Sequence, residues 1–148
     1  RDLHLSIRRQ RQMCIRDSSI TVLPNLKTDS RGRETDGSAN WAVFPNPTPN
    51  SSNSNAFLEY ATTPVFSMPS GYYTGSVQVA ITSPDPNITI YYTTDGTKPD
   101  NTSNTYTVPL TFTQTTVLKA VSYSSVTNIP ASFIEYNTNF FTLDFFWA

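Results

Sequence analysis

The chain alternates most clearly between apolar and polar residues in Ser76-Val77-Gln78-Val79-Ala80-Ile81-Thr82. Side chains on a β-strand point to opposite faces in turn, so Val77, Val79 and Ile81 would lie on one face. This pattern predicts a strand with one buried and one exposed side. Each large side chain that is buried in this way contributes about 1.5–3 kcal/mol to folding.

A second alternating stretch is Asn87-Ile88-Thr89-Ile90-Tyr91-Tyr92-Thr93. The same alternation predicts that Ile88, Ile90 and Tyr92 are buried and that Tyr91 points outward.

Turns separate these two strands from others. The loop after Thr93 is rich in turn-forming residues, since Gly tolerates a positive φ and Asp accepts hydrogen bonds from nearby backbone. We assign four residues to this structural turn: Asp95, Gly96, Pro99 and Asp100. Further strand candidates are Ile20–Leu23, Trp41–Phe44, Leu110–Phe112, Thr116–Tyr123 and Ser132–Phe141. Short strands at roughly ten-residue spacing, without helical periodicity, predict an all-β, antiparallel β-sandwich.

Residues 1–17 are interpreted as an artefact. They include the run RRQRQMCIRD at positions 8–17, which resembles the in-frame translation of a transposon-type sequencing adapter. We expect this segment to be disordered and exclude it from functional reasoning. It contains the only His and the only Cys of the chain, His4 and Cys14. The rest has five Lys and Arg against nine carboxylates, a net charge of −4, so we expect no nucleic-acid partner.

The composition indicates where the protein works. The chain is rich in Thr, Ser, Asn and Tyr, and only 14% of its residues are charged. This balance favours a secreted or cell-surface β-protein over a cytosolic enzyme. No apolar run approaches the roughly twenty residues that span a bilayer, so no membrane-spanning segment is expected in this fragment.

Proline marks the predicted domain boundaries. Pro45-Asn46-Pro47-Thr48-Pro49 lacks ladder donors and favours extended backbone, so it begins a linker that would set the distance between modules. We predict a partial β domain at residues 18–44, a linker at 45–61, an independently folding sandwich at 62–141 and a truncated tail at 142–148. The first of these would not fold alone, because two strands cannot enclose a core.

Four motifs resemble a known family. They are Pro64-Val65-Phe66-Ser67, Gly71-Tyr72-Tyr73, Ile90-Tyr91-Tyr92-Thr93-Thr94-Asp95-Gly96-Thr97-Lys98-Pro99 and Leu118-Lys119-Ala120. In this order they resemble the chitobiase/β-hexosaminidase C-terminal domain family, over about residues 62–141. The resemblance implies an immunoglobulin-like or fibronectin-III-like sandwich, usually appended to a secreted or surface protein.

The preceding segment, about residues 18–50, resembles the end of a lamin-tail domain. The motifs are Arg31-Gly32-Arg33, Asp36-Gly37-Ser38, Asn40-Trp41 and Pro47-Thr48-Pro49, with Asn50 where Gly is usual. A lamin tail followed by a chitobiase-type module resembles the architecture of bacterial surface proteins that also carry a spore-coat-H-like kinase. The resemblance implies this architecture only, and no kinase activity for this chain.

The native side chains offer little for catalysis. Asp95 and Asp100 are the only close pair of carboxylates in a promising loop, and turn formation explains both. Lys98 lies between them and would repel a cation, which disfavours a Ca²⁺ site. We therefore expect no catalytic residue, no metal and no cofactor.

Aromatic residues are the best candidates for ligand binding. Their flat rings can stack on a sugar, and the Tyr hydroxyl can also hydrogen-bond. The candidates are Tyr91, Tyr72, Tyr73, Tyr106 and Trp41. The alternative is that these rings only pack against their neighbours on adjacent strands. Two stacked rings would bind on the order of mM, or about −4 kcal/mol.

The sequence thus predicts a non-catalytic accessory module that acts as a spacer or contacts carbohydrate weakly. Its partners would be neighbouring domains of the parent protein and, as candidate ligand, polysaccharide. Three further interpretations of the parent protein remain open at this point. It is a glycan-processing hydrolase with this module as a C-terminal appendage, an adhesin or scaffold in which such modules stack, or a kinase-linked surface protein that carries the module.

Overall fold

The computed structural model describes residues 23–141, and the regular structure in that range is entirely β. The expected artefact at residues 1–17 and the expected tail at 142–148 lie outside the described residues. Of the strand candidate at residues 20–23, only Leu23 is described; it is irregular and 44% exposed. Residues 23–141 contain no helix that could cross a membrane.

The described range contains eleven strands. They are β1 (Ser30–Arg33), β2 (Trp41–Phe44), β3 (Val65–Phe66), β4 (Gly71–Tyr73), β5 (Val77–Val79), β6 (Ile81–Thr82), β7 (Ile88–Thr93), β8 (Asn104–Thr105), β9 (Leu110–Phe112), β10 (Thr116–Ser124) and β11 (Glu135–Phe141). Of these, β1, β3, β4 and β8 were not predicted from the sequence.

The larger layer is a five-stranded sheet in the order β4-β11-β10-β7-β8. Its pairs are antiparallel except at one edge, where β4 runs parallel to β11 with Tyr72 opposite Phe140. The second layer is built from the pairs β3-β6 and β5-β9. Strands β5 and β6 follow each other along the chain, so residues 77–82 contribute one strand to each of these two pairs. The predicted all-β sandwich is confirmed.

The predicted strand over residues 76–82 is interrupted at Ala80, because its two halves pair with different partners, β9 and β3. At the break the backbone bonds to Ser67 instead. The Ala80 N–H donates to Ser67 Oγ over 2.8 Å, and the Ser67 N–H donates to the Ala80 carbonyl over 2.9 Å. The predicted burial is nevertheless confirmed, since Val77, Val79 and Ile81 are 5%, 0% and 2% exposed.

The core lies between the two layers. Leu118 and Ala120 of β10, both fully buried, contact the buried residues of β5 and β6. Around them pack the partly buried residues Phe66, Met68, Tyr73, Ile90, Tyr92, Tyr106, Leu110 and Phe112. Ile88, expected to be buried, is only partly buried at the start of β7.

The last strand begins later than predicted, at Glu135 instead of Ser132. The Ser132 side chain acts as a hydrogen-bond acceptor in place of a backbone carbonyl, because the Ser122 N–H donates to Ser132 Oγ over 2.9 Å. The Ser132 hydroxyl in turn donates to the carbonyl of Phe133 over 2.8 Å. A side-chain oxygen therefore replaces one backbone acceptor at this end of the sheet, while the Ser132 N–H still donates to the Ser122 carbonyl over 2.9 Å.

Strands β1 and β2 form a hairpin outside the two layers, with Ser30 opposite Phe44 and Arg33 opposite Trp41. Its strand β1 has the sequence SRGR and no apolar alternation, which explains why it was not predicted. A Cβ on Gly32 would lie 3.3 Å from the ring of Phe44. Glycine therefore leaves room for this ring, which is only 3% exposed.

Candidate functional site

The five-stranded sheet has one face toward the core and one face away from it, which we call the outer face. Leu118 and Ala120 point to the core, so their neighbours along β10 point outward. By register, the outer face comprises Tyr72 of β4, Tyr136 and Thr138 of β11, Val117, Lys119, Val121 and Tyr123 of β10, and Thr89, Tyr91 and Thr93 of β7.

Two tyrosines of the outer face are strongly exposed. Tyr72 is 76% exposed and Tyr136 is 67% exposed, and they lie on the neighbouring strands β4 and β11. Tyr72 was a predicted ligand residue, whereas Tyr136 was not. Alternation along β11 separates Tyr136 from Asn137, which is 3% exposed on the core side, but a polar Asn gives no sign in the sequence that its side is the buried one.

Tyr91 also lies on the outer face, as the alternation predicted, opposite Val121. It is half-buried, and its ring meets that of Tyr123 edge to face, with centroids 5.6 Å apart. Val121 is only 3% exposed. This part of the outer face is therefore a packed aromatic pair and not an open platform.

Tyr73 and Tyr106 point to the core side and pack against it. The Tyr73 hydroxyl donates to the Pro69 carbonyl over 2.5 Å. The Tyr106 ring contacts Tyr92 edge to face at 6.5 Å. These two predicted ligand residues thus hold the sandwich together.

Trp41, the fifth candidate, lies on the hairpin and is 38% exposed. The Arg33 guanidinium lies over its ring at 5.6 Å, in cation–π geometry. The structure therefore distributes the five predicted aromatic residues over three places: the outer face, the core side and the hairpin.

The predicted turn after β7 is held by its own side chains. The Thr97 hydroxyl and N–H donate to Asp95 Oδ1 over 2.6 and 3.0 Å, and Gly96 has a φ of 79°. Asp100 Oδ1 accepts in the same way from the Thr102 hydroxyl and N–H, over 2.6 and 2.8 Å. Pro99 is buried.

These hydrogen bonds stabilise the ionised form of both carboxylates. The bonds from Thr97 hold the pKa of Asp95 below its ordinary value. Those from Thr102 do the same for the pKa of Asp100. Both side chains are therefore ionised at neutral pH and accept hydrogen bonds within the turn.

Lys119 is the charged residue of the outer face. Its Nζ donates to the Gly96 carbonyl, so its ammonium group is held at the turn. Among the residues of β4 and β11 whose side chains are described, the outer face carries Tyr72, Tyr136 and Thr138, and none of these is charged.

A shallow groove of about 480 Å³ lies between residues 63–70 and the start of β11. Its wall includes Val65, Glu135 and Asn137. Asn137 Nδ2 donates to the Met68 carbonyl over 2.5 Å, while its buried Oδ1 has no hydrogen-bond partner. Among the described residues that line the groove, Glu135 is the single carboxylate. Over residues 23–141, no group of three or more His, Cys, Asp and Glu side chains could hold a metal ion.

The second half of the predicted linker contacts the hairpin. We call residues 53–61 the joint. Phe57 and Val43 exchange two backbone hydrogen bonds of 2.9 and 2.7 Å. Asn53 Nδ2 donates to the Arg33 carbonyl over 2.7 Å. Arg31 and Glu59 form an ion pair of 2.7 Å, and the hydrogen bond from Arg31 lowers the pKa of Glu59.

Tyr60 connects the joint both to the residues just before the hairpin and to the sandwich. Its hydroxyl donates to Asp29 Oδ2 over 2.8 Å and accepts from the Leu26 N–H over 3.1 Å. Its ring meets that of Phe133, before β11, edge to face at 4.9 Å. The next residue, Ala61, donates its N–H to the Pro130 carbonyl over 2.9 Å. The joint is thus bonded to the hairpin and to the sandwich.

Comparison with known proteins gives one family for part of the chain. No curated protein and no solved structure matched it. Residues 68–133 match the family model of the chitobiase/beta-hexosaminidase C-terminal domain. The match includes β4, the turn after β7 and the core strand β10. It ends before β11, and the resemblance of residues 18–50 to a lamin tail stays a prediction. Over residues 68–133 the sandwich is therefore similar to the chitobiase/beta-hexosaminidase C-terminal domain.

Proposed function

We propose that this chain is a non-catalytic accessory module of a secreted or cell-surface protein, which positions a neighbouring domain and contacts carbohydrate weakly. The observation that supports the carbohydrate contact is the exposure of Tyr72 and Tyr136 on adjacent strands of the outer face. Exposed tyrosine rings offer both a stacking surface and a hydrogen-bonding hydroxyl. Two such rings correspond to an affinity on the order of mM.

The lowered pKa values of Asp95 and Asp100 support a non-catalytic role. A glycosidase needs a general acid whose pKa is raised, so that it carries a proton at the working pH. Hydrogen bonds lower the pKa of both Asp95 and Asp100. Neither is suited to donate a proton to a leaving sugar.

The joint supports the positioning role. Tyr60 contacts Asp29 and Leu26 on one side and Phe133 on the other. A domain that precedes the sandwich would therefore be held in a defined orientation instead of on a flexible tether.

Affinity electrophoresis tests the carbohydrate contact. The full chain is run through gels that contain hydroxyethyl cellulose, glucomannan, xylan, glycol chitin or alginate. Glycol chitin is included because the matching family is named after a chitobiase. We expect retardation in at least one neutral polysaccharide, and its loss in a Tyr72→Ala/Tyr136→Ala double variant. Tyr91→Ala, whose ring packs on Tyr123, is the matched control and should stay retarded.

Two results would contradict the proposal. Unchanged mobility in all five gels would refute the carbohydrate contact. Turnover of chromogenic glycosides that Asp95→Ala abolishes would refute the non-catalytic role.

The family match favours one specific parent, a glycan-processing hydrolase to which this module is appended. The sequence of the complete gene tests this alternative. A hydrolase domain in the same reading frame would support it, whereas repeats of this module would indicate a scaffold or adhesin.

A further inference from the structure

We infer that the outer face binds an uncharged glycan chain that lies along β11 and spans several sugar units, and that it does not bind a single sugar. This inference rests on the proposed carbohydrate contact and adds the length, the charge and the direction of the ligand. It follows from where Tyr72 and Tyr136 stand in the register.

The spacing of the two exposed tyrosines sets the length of the ligand. Tyr72 stands opposite Phe140, which is four residues beyond Tyr136 on β11. At about 3.4 Å per residue along a strand and about 4.8 Å between strands, the two Cα positions are about 14 Å apart. One sugar ring is similar in size to one tyrosine ring, so it cannot contact both. A ligand that uses both must extend over several rings.

The register also sets the direction. Both tyrosines lie at the β4-β11 edge of the sheet, so the line that joins them runs nearly parallel to β11. Thr138 lies between them on the same face and offers a hydroxyl for hydrogen bonding. The packed pair of Tyr91 and Tyr123 lies on β7 and β10, to one side of this line.

The charges of the outer face indicate an uncharged ligand. Lys119 is its one charged residue among those described, and the Gly96 carbonyl holds its ammonium group. No Arg or second Lys of the face is placed to pair with a carboxylate or sulfate, as recognition of an acidic glycan would require.

Isothermal titration of the full chain tests the inference with five probes: cellohexaose, chitohexaose, an oligogalacturonate hexasaccharide, glucose and N-acetylglucosamine. We expect a hexasaccharide to bind on the order of mM and its monosaccharide to bind about tenfold more weakly or not at all. Tyr72→Ala and Tyr136→Ala should each reduce the hexasaccharide affinity by about tenfold, because either change leaves a single ring. Tyr91→Ala is the control, and amide spectra of each variant establish that it is folded.

The outcomes separate the two proposals. If a monosaccharide binds as tightly as its hexasaccharide, or if only one of the tyrosines contributes, the inferred extended site is wrong while the carbohydrate contact stands. An oligogalacturonate hexasaccharide that binds more tightly than cellohexaose and chitohexaose would overturn the uncharged ligand. If none of the sugars binds, the inference is overturned, and unchanged mobility in all five gels would refute the carbohydrate contact as well.

Discussion

At the scale of single residues, the position in the sheet decides what a tyrosine does. Tyr72 and Tyr73 are adjacent in sequence, yet the first is 76% exposed and the second packs on the core. Alternation predicts that neighbours face opposite sides. It does not give the side on which the second layer lies, because that depends on pairing with β11. The sequence therefore predicted both as ligand residues, and the structure places only Tyr72 on the exposed side.

The Asp95–Gly96 turn illustrates a residue role that could be predicted locally. Gly96 has a φ of 79°, and a Cβ there would lie 3.6 Å from Val117, an ordinary contact. We expect Gly96→Ala to lower the free energy of unfolding by about 1–2 kcal/mol through backbone strain alone. Urea denaturation of the full chain measures this change.

Gly71→Ala is the matched control for this prediction. Its Cβ would also find ordinary contacts, at 3.8 Å from the Tyr73 ring, and its φ lies outside the positive region. It should change stability less than Gly96→Ala. Equal effects of the two substitutions would show that φ is not the cause.

At the scale of elements, the strands with apolar alternation were predicted, whereas β1 and three very short strands were not. The predicted strands at 87–93, 110–112 and 116–123 agree with β7, β9 and β10 to within one residue at each end. Strands β3, β4 and β8 have two or three residues each. So short a strand shows no period of two, and only its partner strand defines it.

The joint was missed for a related reason. Its bonds connect residues far apart in sequence, such as Tyr60 with Asp29 and Leu26, at separations of 31 and 34 residues. Proline and asparagine in residues 45–55 indicate a linker. A local sequence pattern cannot show that a residue contacts another one about thirty positions away. Tyr60 therefore looked like one more residue of the linker.

The joint predicts a local effect of Tyr60→Phe. The change removes the hydroxyl that bonds to Asp29 and Leu26 and keeps the ring that packs on Phe133. We expect the Val43 and Phe57 amides to exchange with solvent about two- to tenfold faster, because a hydrogen bond contributes about 0.5–1.5 kcal/mol. Hydrogen exchange followed by NMR measures both amides.

The core amide of Leu118 should keep its exchange rate in the Tyr60→Phe variant. Tyr123→Phe, on the outer face and away from the joint, is the control. Equal acceleration at Leu118 and at Val43 would mean that the substitution weakens the whole fold, and the joint would not be a separate unit.

At the scale of the whole molecule, the fold and the ligand surface differ in how far the sequence determines them. The sandwich follows from apolar alternation, which is a repeated signal over many residues, and Val77, Val79 and Ile81 are buried as expected. The ligand surface depends on two residues that are 64 positions apart and meet only through the parallel pairing of β4 with β11. That pairing is long-range, so no local pattern could have brought Tyr136 into the site.

The most direct test of this account is the map of backbone amide shifts when chitohexaose or cellohexaose is added to the ¹⁵N-labelled full chain. If the ligand binds to the outer face, the largest shifts fall on Gly71–Tyr73 and on Tyr136–Thr138, with smaller ones at Lys119. Shifts that are largest at Val65 and Met68 would place the ligand in the groove, and those largest at Asp95 and Asp100 would place it at the turn. Either result would contradict the proposal that the outer face of the five-stranded sheet is the binding surface.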